Sequence, residues 1–346
     1  MVLIFCQSIS ALRHAYYEAF RYIHIVLAVA VLVGTWYHLR LKDLPQVQML
    51  LFAIAIWILE NVVRWIRIGY RNFGNGGTQA MIEALPGNAT RVTIDLARPW
   101  TFSPSTHAYI YMPSIGGSTN HPFSVAWSED KEADEERGAK DDVLAAKKTR
   151  LSFVVRSRTG FTFDLLKKAE SFPGGKGMVK MYVEGPYGAG HLFHSYGTVM
   201  MIAGGIGITH HIPHVRDLVA GYANGTVATR RILLVWIIQS PEHLEWIRPW
   251  MTQILAMEKR RDVLRIMLFI SRPKSTKEIH SPSATVQMFP GRPNIETLMD
   301  MEIEHQVGAL AVSVCGSGSL SDDVRAACRA RQTITNIDFT EEAFTW

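Results

Sequence analysis

Two apolar runs near the start of the chain constrain its fold more than any other feature. Ile23 to Tyr37 reads IHIVLAVAVLVGTWY. With its flanks it offers about 17 to 20 apolar positions, enough at about 1.5 Å per residue to cross a bilayer. A second run extends from Val47 to about Ile66, and the short polar link Arg40-Leu41-Lys42-Asp43-Leu44-Pro45 separates the two. Two spans joined by a short turn, about 22–39 and 47–66, predict a transmembrane helical hairpin. A secretory signal peptide fits poorly, because the first run begins late and no small-residue cleavage site lies near it. The other reading is a buried hairpin of a soluble core, which is unusual for two successive runs of this length.

Composition narrows the rest. The chain has 346 residues, 48% hydrophobic and 19% charged, which excludes a disordered or fibrous protein. The net charge of +5 is a mild basic excess that suits anionic lipid, a phosphorylated cofactor or nucleic acid. No nucleic-acid-binding motif accompanies it, so nucleic acid is set aside. Three cysteines, Cys6, Cys315 and Cys328, make no disulfide framework and suit a reducing compartment. Arg13 and Arg21 precede the first span, and Arg64, Arg67 and Arg71 follow the second. Positive charge collects on cytoplasmic ends, so both outer ends and everything after residue 70 are expected in the cytosol. Arg40 and Lys42 in the link oppose this more weakly.

The first span carries His24 and His38. Fourteen residues of helix turn through about 1400°, roughly 40° short of four full turns, so the two rings share a face about 21 Å apart. Imidazoles within a membrane are a functional signal by default. Placed near opposite ends of one face, they suit axial ligation of two stacked haems. The alternative is a pair of interfacial histidines near the helix ends.

Beyond the hairpin the pattern changes twice. RVTIDLA, HAYIYMP and HPFSVAW alternate apolar and polar residues between Pro and Gly breaks, an all-β pattern. Residues 128–150 are charge-rich and read as a solvated loop inserted between strands. LSFVVRS continues as strand, GFTFDLLKKAE as helix and GMVKMYVEGPYG as strand into turn. From about Gly197, strands TVMMIAGG, RILLVWII, LRIMLFIS and ALAVSVCG alternate with helices, which implies a parallel sheet with helices on its faces. The expected layout is α+β and multidomain: 1–70 as a partial membrane domain, 71–194 as a β-barrel domain and 195–346 as an α/β nucleotide-binding domain.

Several motifs carry chemistry. His121-Pro122-Phe123-Ser124 places a small hydroxyl beside an aromatic, a pairing that can hold a flavin ring and its ribityl phosphate. Gly160-Phe161-Thr162 opens a helix, where Thr162 can cap and backbone N–H groups can meet a pyrophosphate. Ala203-Gly204-Gly205-Ile206-Gly207-Ile208-Thr209 joins a buried strand to a helix, letting a diphosphate approach the backbone. Val314-Cys315-Gly316-Ser317-Gly318-Ser319 repeats that context at a second strand end, and Glu184-Gly185-Pro186-Tyr187-Gly188 forms a turn near the domain junction. His191, His194, His210, His211 and His214 are numerous without a spacing that compels a metal site.

HPFS, GFT, EGPYG, AGGIGIT and VCGSGSL, in this order behind a His-bearing helix and before a terminal aromatic, resemble the ferredoxin–NADP reductase-like half of ferric reductases and NADPH oxidases, above all fungal ferric/cupric reductases. The resemblance covers roughly residues 11–346. It implies that His121, Pro122, Phe123 and Ser124 hold FAD, with Gly160 and Thr162 near its diphosphate and Gly185 and Pro186 in the same cofactor set. It implies that Gly204, Gly205, Gly207 and Thr209 hold the NADPH diphosphate, with Gly316 and the catalytic Cys315 beside the nicotinamide. Trp346 would shield the flavin, and His24 and His38 would ligate the inner and outer haem b. Electrons would pass from NADPH through FAD and haem to metal chelates outside a membrane, expected to be the plasma membrane, in iron uptake.

The chain also departs from the family. The family has more spans and a second His pair, so the chain reads as N-terminally truncated, leaving a haem-free NADPH diaphorase, a non-catalytic membrane subunit or a chain with a second membrane subunit as alternatives beside a superoxide-generating oxidase. CGSG replaces the usual CGPG. Gln239 stands where the family often has a basic residue, which leaves Arg230, Arg231 or Arg272 to meet a 2′-phosphate and the choice of NADPH over NADH open.

Overall fold

The computed structural model describes residues 17–74, 77–117, 119–132, 147–188, 192–273, 281 and 283–342. It divides into two compact units, residues 1–71 and 72–346.

The first unit holds two helices, α1 (Tyr17–Leu41) and α2 (Gln46–Asn72), of 25 and 27 residues. Each is long and apolar enough to cross a membrane, and neither buries its apolar window inside the protein. Val26, Val33, Phe52, Leu59 and Ile66 are all exposed. A soluble core hairpin would cover such side chains, so the exposure favours a lipid-facing hairpin.

The second unit begins with eight antiparallel strands. β1 (Gln79–Leu85), β2 (Ala89–Asp95), β5 (Trp127–Glu132), β6 (Lys147–Arg156) and β7 (Lys176–Val179) form one sheet in the order β5-β6-β2-β1-β7. β3 (His107–Tyr111), β4 (Asn120–Ser124) and β8 (Tyr182–Tyr187) form a second, in the order β4-β3-β8. Alternate residues of both sheets close one core: Ile82, Val92, Ile94, Ala108, Ile110, Phe153 and Val183, joined by Phe161 and Leu165 of helix α3 (Phe161–Glu170). The run GMVKMYVEGPYG is two strands in two different sheets, not one.

The charged stretch expected as a loop over 128–150 is strand at both ends, because β5 runs to Glu132 and β6 starts at Lys147. β5 is the sheet edge, where charge is tolerated and discourages pairing with another chain. Its carboxylates are also used: Glu129 accepts from Trp127 Nε1 at 2.9 Å and from Gln253 Nε2 at 3.0 Å.

The remaining strands, β9 (Thr198–Gly204), β10 (Arg231–Ile238), β11 (Leu264–Ile270), β12 (Val286–Pro290), β13 (Leu310–Cys315) and β14 (Ile337–Glu342), are all parallel in the order β12-β11-β10-β9-β13-β14. Helices α4 (Ile208–Asn224), α5 (Arg248–Ala256), α6 (Ile295–Glu304) and α7 (Gly318–Arg331) connect them. One core lies under α4 and α5, and a second under α6 and α7. Continuous apolar runs such as Ile232 to Trp236 fit strands covered on both faces.

A polar seam joins the antiparallel and parallel halves. Trp246 Nε1 donates to the Pro86 carbonyl at 2.7 Å, Arg91 Nη2 to Glu245 O at 2.8 Å and Arg216 Nη1 to Ser128 O at 2.6 Å. Trp127 and Trp250 stack at 6.0 Å across it.

Candidate functional site

β9 and β13 lie side by side with Cys315 opposite Ala203, so both glycine turns emerge at one carboxyl edge. Ligands of open parallel sheets sit at this edge. The turns are pressed together: a Cβ on Gly204 would lie 3.2 Å from Gly316 Cα, and one on Gly207 would lie 2.1 Å from the Cys315 carbonyl oxygen. Gly205 turns with φ +55°, and the Trp236 indole N–H fixes its carbonyl at 2.9 Å. The N-termini of α4 and α7 both open here, each with unpaired backbone N–H groups and a positive dipole end.

These turns floor a cleft of ≈ 690 Å³. Gly204, Gly205, Gly207 and Gly316 line it, as do Arg156 and Arg158 from the antiparallel half. Arg156 Nη1 is 3.8 Å from the Cβ position of Gly205. Arg292 adds a third cation, while Asp323 and Glu341 are the acids. The floor without side chains, two helix N-termini and flanking guanidinium groups suit a diphosphate.

Cys315 and Thr209 belong to the support beneath this floor. Cys315 has no exposed surface, and burial, aided by the Glu342 carboxylate, pushes its thiol far above the usual range. The thiol therefore stays neutral. The Thr209 hydroxyl donates to the Ile206 carbonyl at 2.9 Å, tying the loop to the first turn of α4.

The HPFS strand divides between two faces. Ile110 opposes His121 and Ala108 opposes Phe123 on the core side. There His121 stacks on Phe161 at 4.2 Å and 17°, and Phe123 lies 6.3 Å from the same ring. Pro122 and Ser124 face outward opposite Tyr109 and His107. On that outer face His107, Tyr109 and Tyr187 form an aromatic cluster with centroids 5.6 to 5.9 Å apart. Glu184 fixes it: the Tyr187 hydroxyl donates to Oε1 at 2.7 Å and the Tyr111 hydroxyl to Oε2 at 2.5 Å. Burial holds His107 below the ordinary imidazole range, so it adds an uncharged ring. Gly185, at φ +146°, would bring a Cβ within 3.4 Å of Ala108, and Pro186 follows it toward Tyr187. A flat, partly apolar ring system fits this wall. The motif reading missed His107 and Tyr109, although their i, i+2 spacing in HAYIYMP was the available signal.

Two sequence expectations change. Gly160, at φ +59°, holds the capping position of α3, and Thr162 lies inside the helix. The Thr162 hydroxyl accepts from the Arg158 N–H at 2.9 Å and donates to the Thr159 carbonyl. Glycine supplies the positive φ of this entry, and the threonine closes the turn from within. Arg230 and Arg231 sit at the amino end of β10, away from the cleft. Arg231 pairs with buried Glu302, and Arg230 donates to the Val227 and Thr229 carbonyls at 3.0 Å. Neither can read a ligand at the carboxyl edge.

Among the described residues no three metal-binding side chains come together. α1 carries His24, half-buried beside Phe20, and the exposed His38, while α2 contains no histidine. A bis-imidazole haem needs two axial ligands, and among the described residues of the hairpin only His24 and His38 are histidines. Trp346 and His191 lie outside the described residues.

The model of the ferric reductase NAD binding domain matches residues 196–279 and 273–329, and that of an FAD-binding domain matches residues 75–191. The chain is 26% identical over 371 residues to ferric reductase transmembrane component 3 of Saccharomyces cerevisiae, covering 98% of this chain and 48% of that protein. It is 24% identical over 378 residues to a probable ferric reductase transmembrane component of Candida albicans, covering 99% of this chain and 51% of that one. The chain thus carries a ferric reductase NAD binding domain and an FAD-binding domain, and it is similar to fungal ferric reductase components over nearly its whole length. It spans about half the length of these relatives. Its second unit shares the fold of a ferredoxin reductase of carbazole 1,9a-dioxygenase, at TM-score 0.52 and 14% identity over 77% of this chain and 68% of that one. The aromatic wall thus lies in an FAD-binding domain and the double-glycine cleft in an NAD-binding domain.

Proposed function

We propose that the chain is the nucleotide- and flavin-binding part of a membrane metalloreductase that draws electrons from NAD(P)H and delivers them to ferric or cupric chelates. The opposed Gly204 and Gly316 turns carry this reading, because they present two helix N-termini to one cleft in the NAD-binding domain. FAD, when bound, takes up an electron pair as hydride and releases electrons singly, which a metal acceptor requires.

The residues supply placement and electrostatics. Gly204, Gly205 and Gly207 let the dinucleotide phosphates meet the α4 N-terminus, and Arg156 with Arg158 balances their charge. Gly316 keeps the nicotinamide end of the cleft open above Cys315, whose neutral, buried thiol keeps water from beneath it. Tyr109, Tyr187 and His107 hold the flavin ring flat, Ser124 offers it a hydroxyl, and Gly160 and Thr162 bring the α3 N-terminus toward its diphosphate. The basic flank Arg64, Arg67 and Arg71 after the second span supports a cytosolic side for the second unit, and a plasma-membrane site fits an external acceptor. With His24 and His38 the only described histidines of the hairpin, no electron step is assigned to α1.

The full chain in membranes, supplied with FAD and NADPH or NADH, is expected to reduce a ferric chelate. Reoxidation of the nucleotide only by oxygen, with no ferrous product, would instead indicate an oxidase. Absence of both flavin and nucleotide binding would defeat the reading.

A further inference from the structure

The chain running from β7 into β8 alternates between two sides. Val179, Met181 and Val183 turn into the barrel core. Lys176, Met178 and Lys180 are exposed and Tyr182 is half-buried, so these four form one outward stripe. Met178 is 57% exposed between the two lysines, although Met81 of β1 lies opposite it. The neighbouring carboxylates are engaged elsewhere. Glu83, opposite Lys176, pairs with Arg91, and Asp95, opposite Gln79 at the start of β1, pairs with Arg150. Neither lysine has an ion-pair partner among the described residues. Charge alone would protect an edge strand such as β7, so the exposed thioether between the cations calls for another explanation.

One end of the stripe is tied to the second span. α2 closes at Asn72, whose Nδ2 donates to the Val183 carbonyl at 2.7 Å and whose Oδ1 accepts from the Val183 N–H at 2.9 Å. Beside this pair Tyr182 packs on Phe73 at 5.7 Å, and Phe73 is 63% exposed. The apolar run ends near Ile66, so Asn72 lies only about 9 Å further along the helix axis. The interfacial layer of a bilayer is roughly 5–7 Å deep on each side. Phe73 and Tyr182 are therefore held close to headgroup level. Lys180 follows Tyr182 by about 7 Å along the chain and Met178 by about 13 Å.

We propose that this stripe docks the second unit on anionic lipid headgroups of the cytosolic leaflet. Lys176 and Lys180 meet the negative headgroups, while Met178, Tyr182 and Phe73 enter the boundary with the acyl chains. This rests on the membrane-hairpin reading of α1 and α2 and is independent of the nucleotide cleft. Because α2 keeps the surface beside the bilayer, the effective lipid concentration is high and two lysines suffice. β8 also carries Glu184 and Tyr187, so lipid contact at its start holds the flavin wall at a set height above the membrane.

The test places the full chain in nanodiscs of phosphatidylcholine alone or of a phosphatidylcholine–phosphatidylserine mixture. Hydrogen peroxide, a neutral oxidant, converts exposed methionines to sulfoxides, which mass spectrometry reads site by site. Met301 of α6, 49% exposed, is the internal reference. Relative to Met301, Met178 is expected to oxidise about three- to tenfold more slowly in the anionic discs. High salt is expected to remove that difference. Lys176→Gln combined with Lys180→Gln is expected to remove it too, with the melting temperature unchanged. Met178 oxidation that is equal in both lipids overturns the proposal. If Met178 is equally shielded in both, a protein partner covers the stripe instead. Failure of the chain to insert into either bilayer overturns the hairpin reading and the proposal with it, whereas NADPH titration reports on the cleft separately.

Discussion

Gly207 and Cys315 are packed so tightly that a methyl group on the glycine would sit 2.1 Å from the cysteine carbonyl oxygen. That oxygen is backbone of β13 and cannot rotate away. Gly207→Ala must therefore separate the α4 entry from the sheet edge. The expected cost exceeds the ordinary overpacking penalty of about 1–3 kcal/mol, with loss of dinucleotide binding. Thermal melting and titration with NADP⁺ check both effects. Gly204→Ala, whose nearest neighbour is the flexible Leu320 tip at 3.1 Å, is expected to be milder.

The flavin wall depends on Tyr187 through its ring and its hydroxyl. Tyr187→Ala is expected to weaken FAD binding about three- to tenfold, in line with one lost aromatic contact. Tyr187→Phe keeps the ring and loses only the bond to Glu184, so its effect should be smaller. Fluorescence titration with FAD after removal of bound flavin separates the two.

The two described thiols, Cys315 and Cys328, should be inert in the folded protein. Burial pushes Cys328 up to about 11 and Cys315 further still. Raised values leave less thiolate, and at pH 8 Cys328 would be ionised in only about one molecule in a thousand. Alkylation at pH 8, mapped by mass spectrometry, should modify neither site until denaturant is added. Rapid native labelling of Cys315 would contradict its placement.

Acid should unfold the second unit through α4. His210, His211 and His214 are buried with ring centroids 5.1 to 5.3 Å apart, and burial lowers all three, His210 to about 4. A histidine depressed in the folded state is protonated preferentially on unfolding. Stability is therefore level above pH 6.5 and falls as pH drops from 6.5 toward 4. His210 alone is worth about 3 kcal/mol over that interval. Melting curves from pH 7.5 to 5 should show the decline, and His210→Asn should flatten it.

Arg231 serves as a control for charge away from the cleft. Its partner Glu302 is 2% exposed, so Arg231→Met leaves a buried carboxylate unpaired. A loss of about 3–5 kcal/mol in stability is expected, with unchanged nucleotide affinity in the surviving folded fraction. Denaturant unfolding and AMP titration test the two halves of this statement.

The sequence made the parallel half legible because apolar runs such as RILLVWII and glycine turns such as AGGIGIT are local signals. β5 escaped notice because charged residues on an edge strand have the composition of a loop. HPFS was visible as a motif, but its division into a core pair, His121 and Phe123, and an outer pair, Pro122 and Ser124, depends on pairing with β3. Arg230 and Arg231 attracted attention by charge alone, and only strand direction shows that they lie at the opposite edge.

The seam between the halves bears on how this chain can be divided. The matched family segments end at 191 and resume at 196, as if two modules were strung together. Yet Ala89, Trp127 and Val154 share a core with Trp246 and Trp250. Cutting in that gap would expose indole surface on both products. The evolutionary modules are two, but the cooperative folding unit is one, and flavin and dinucleotide sites are expected to be lost together when either half is expressed alone.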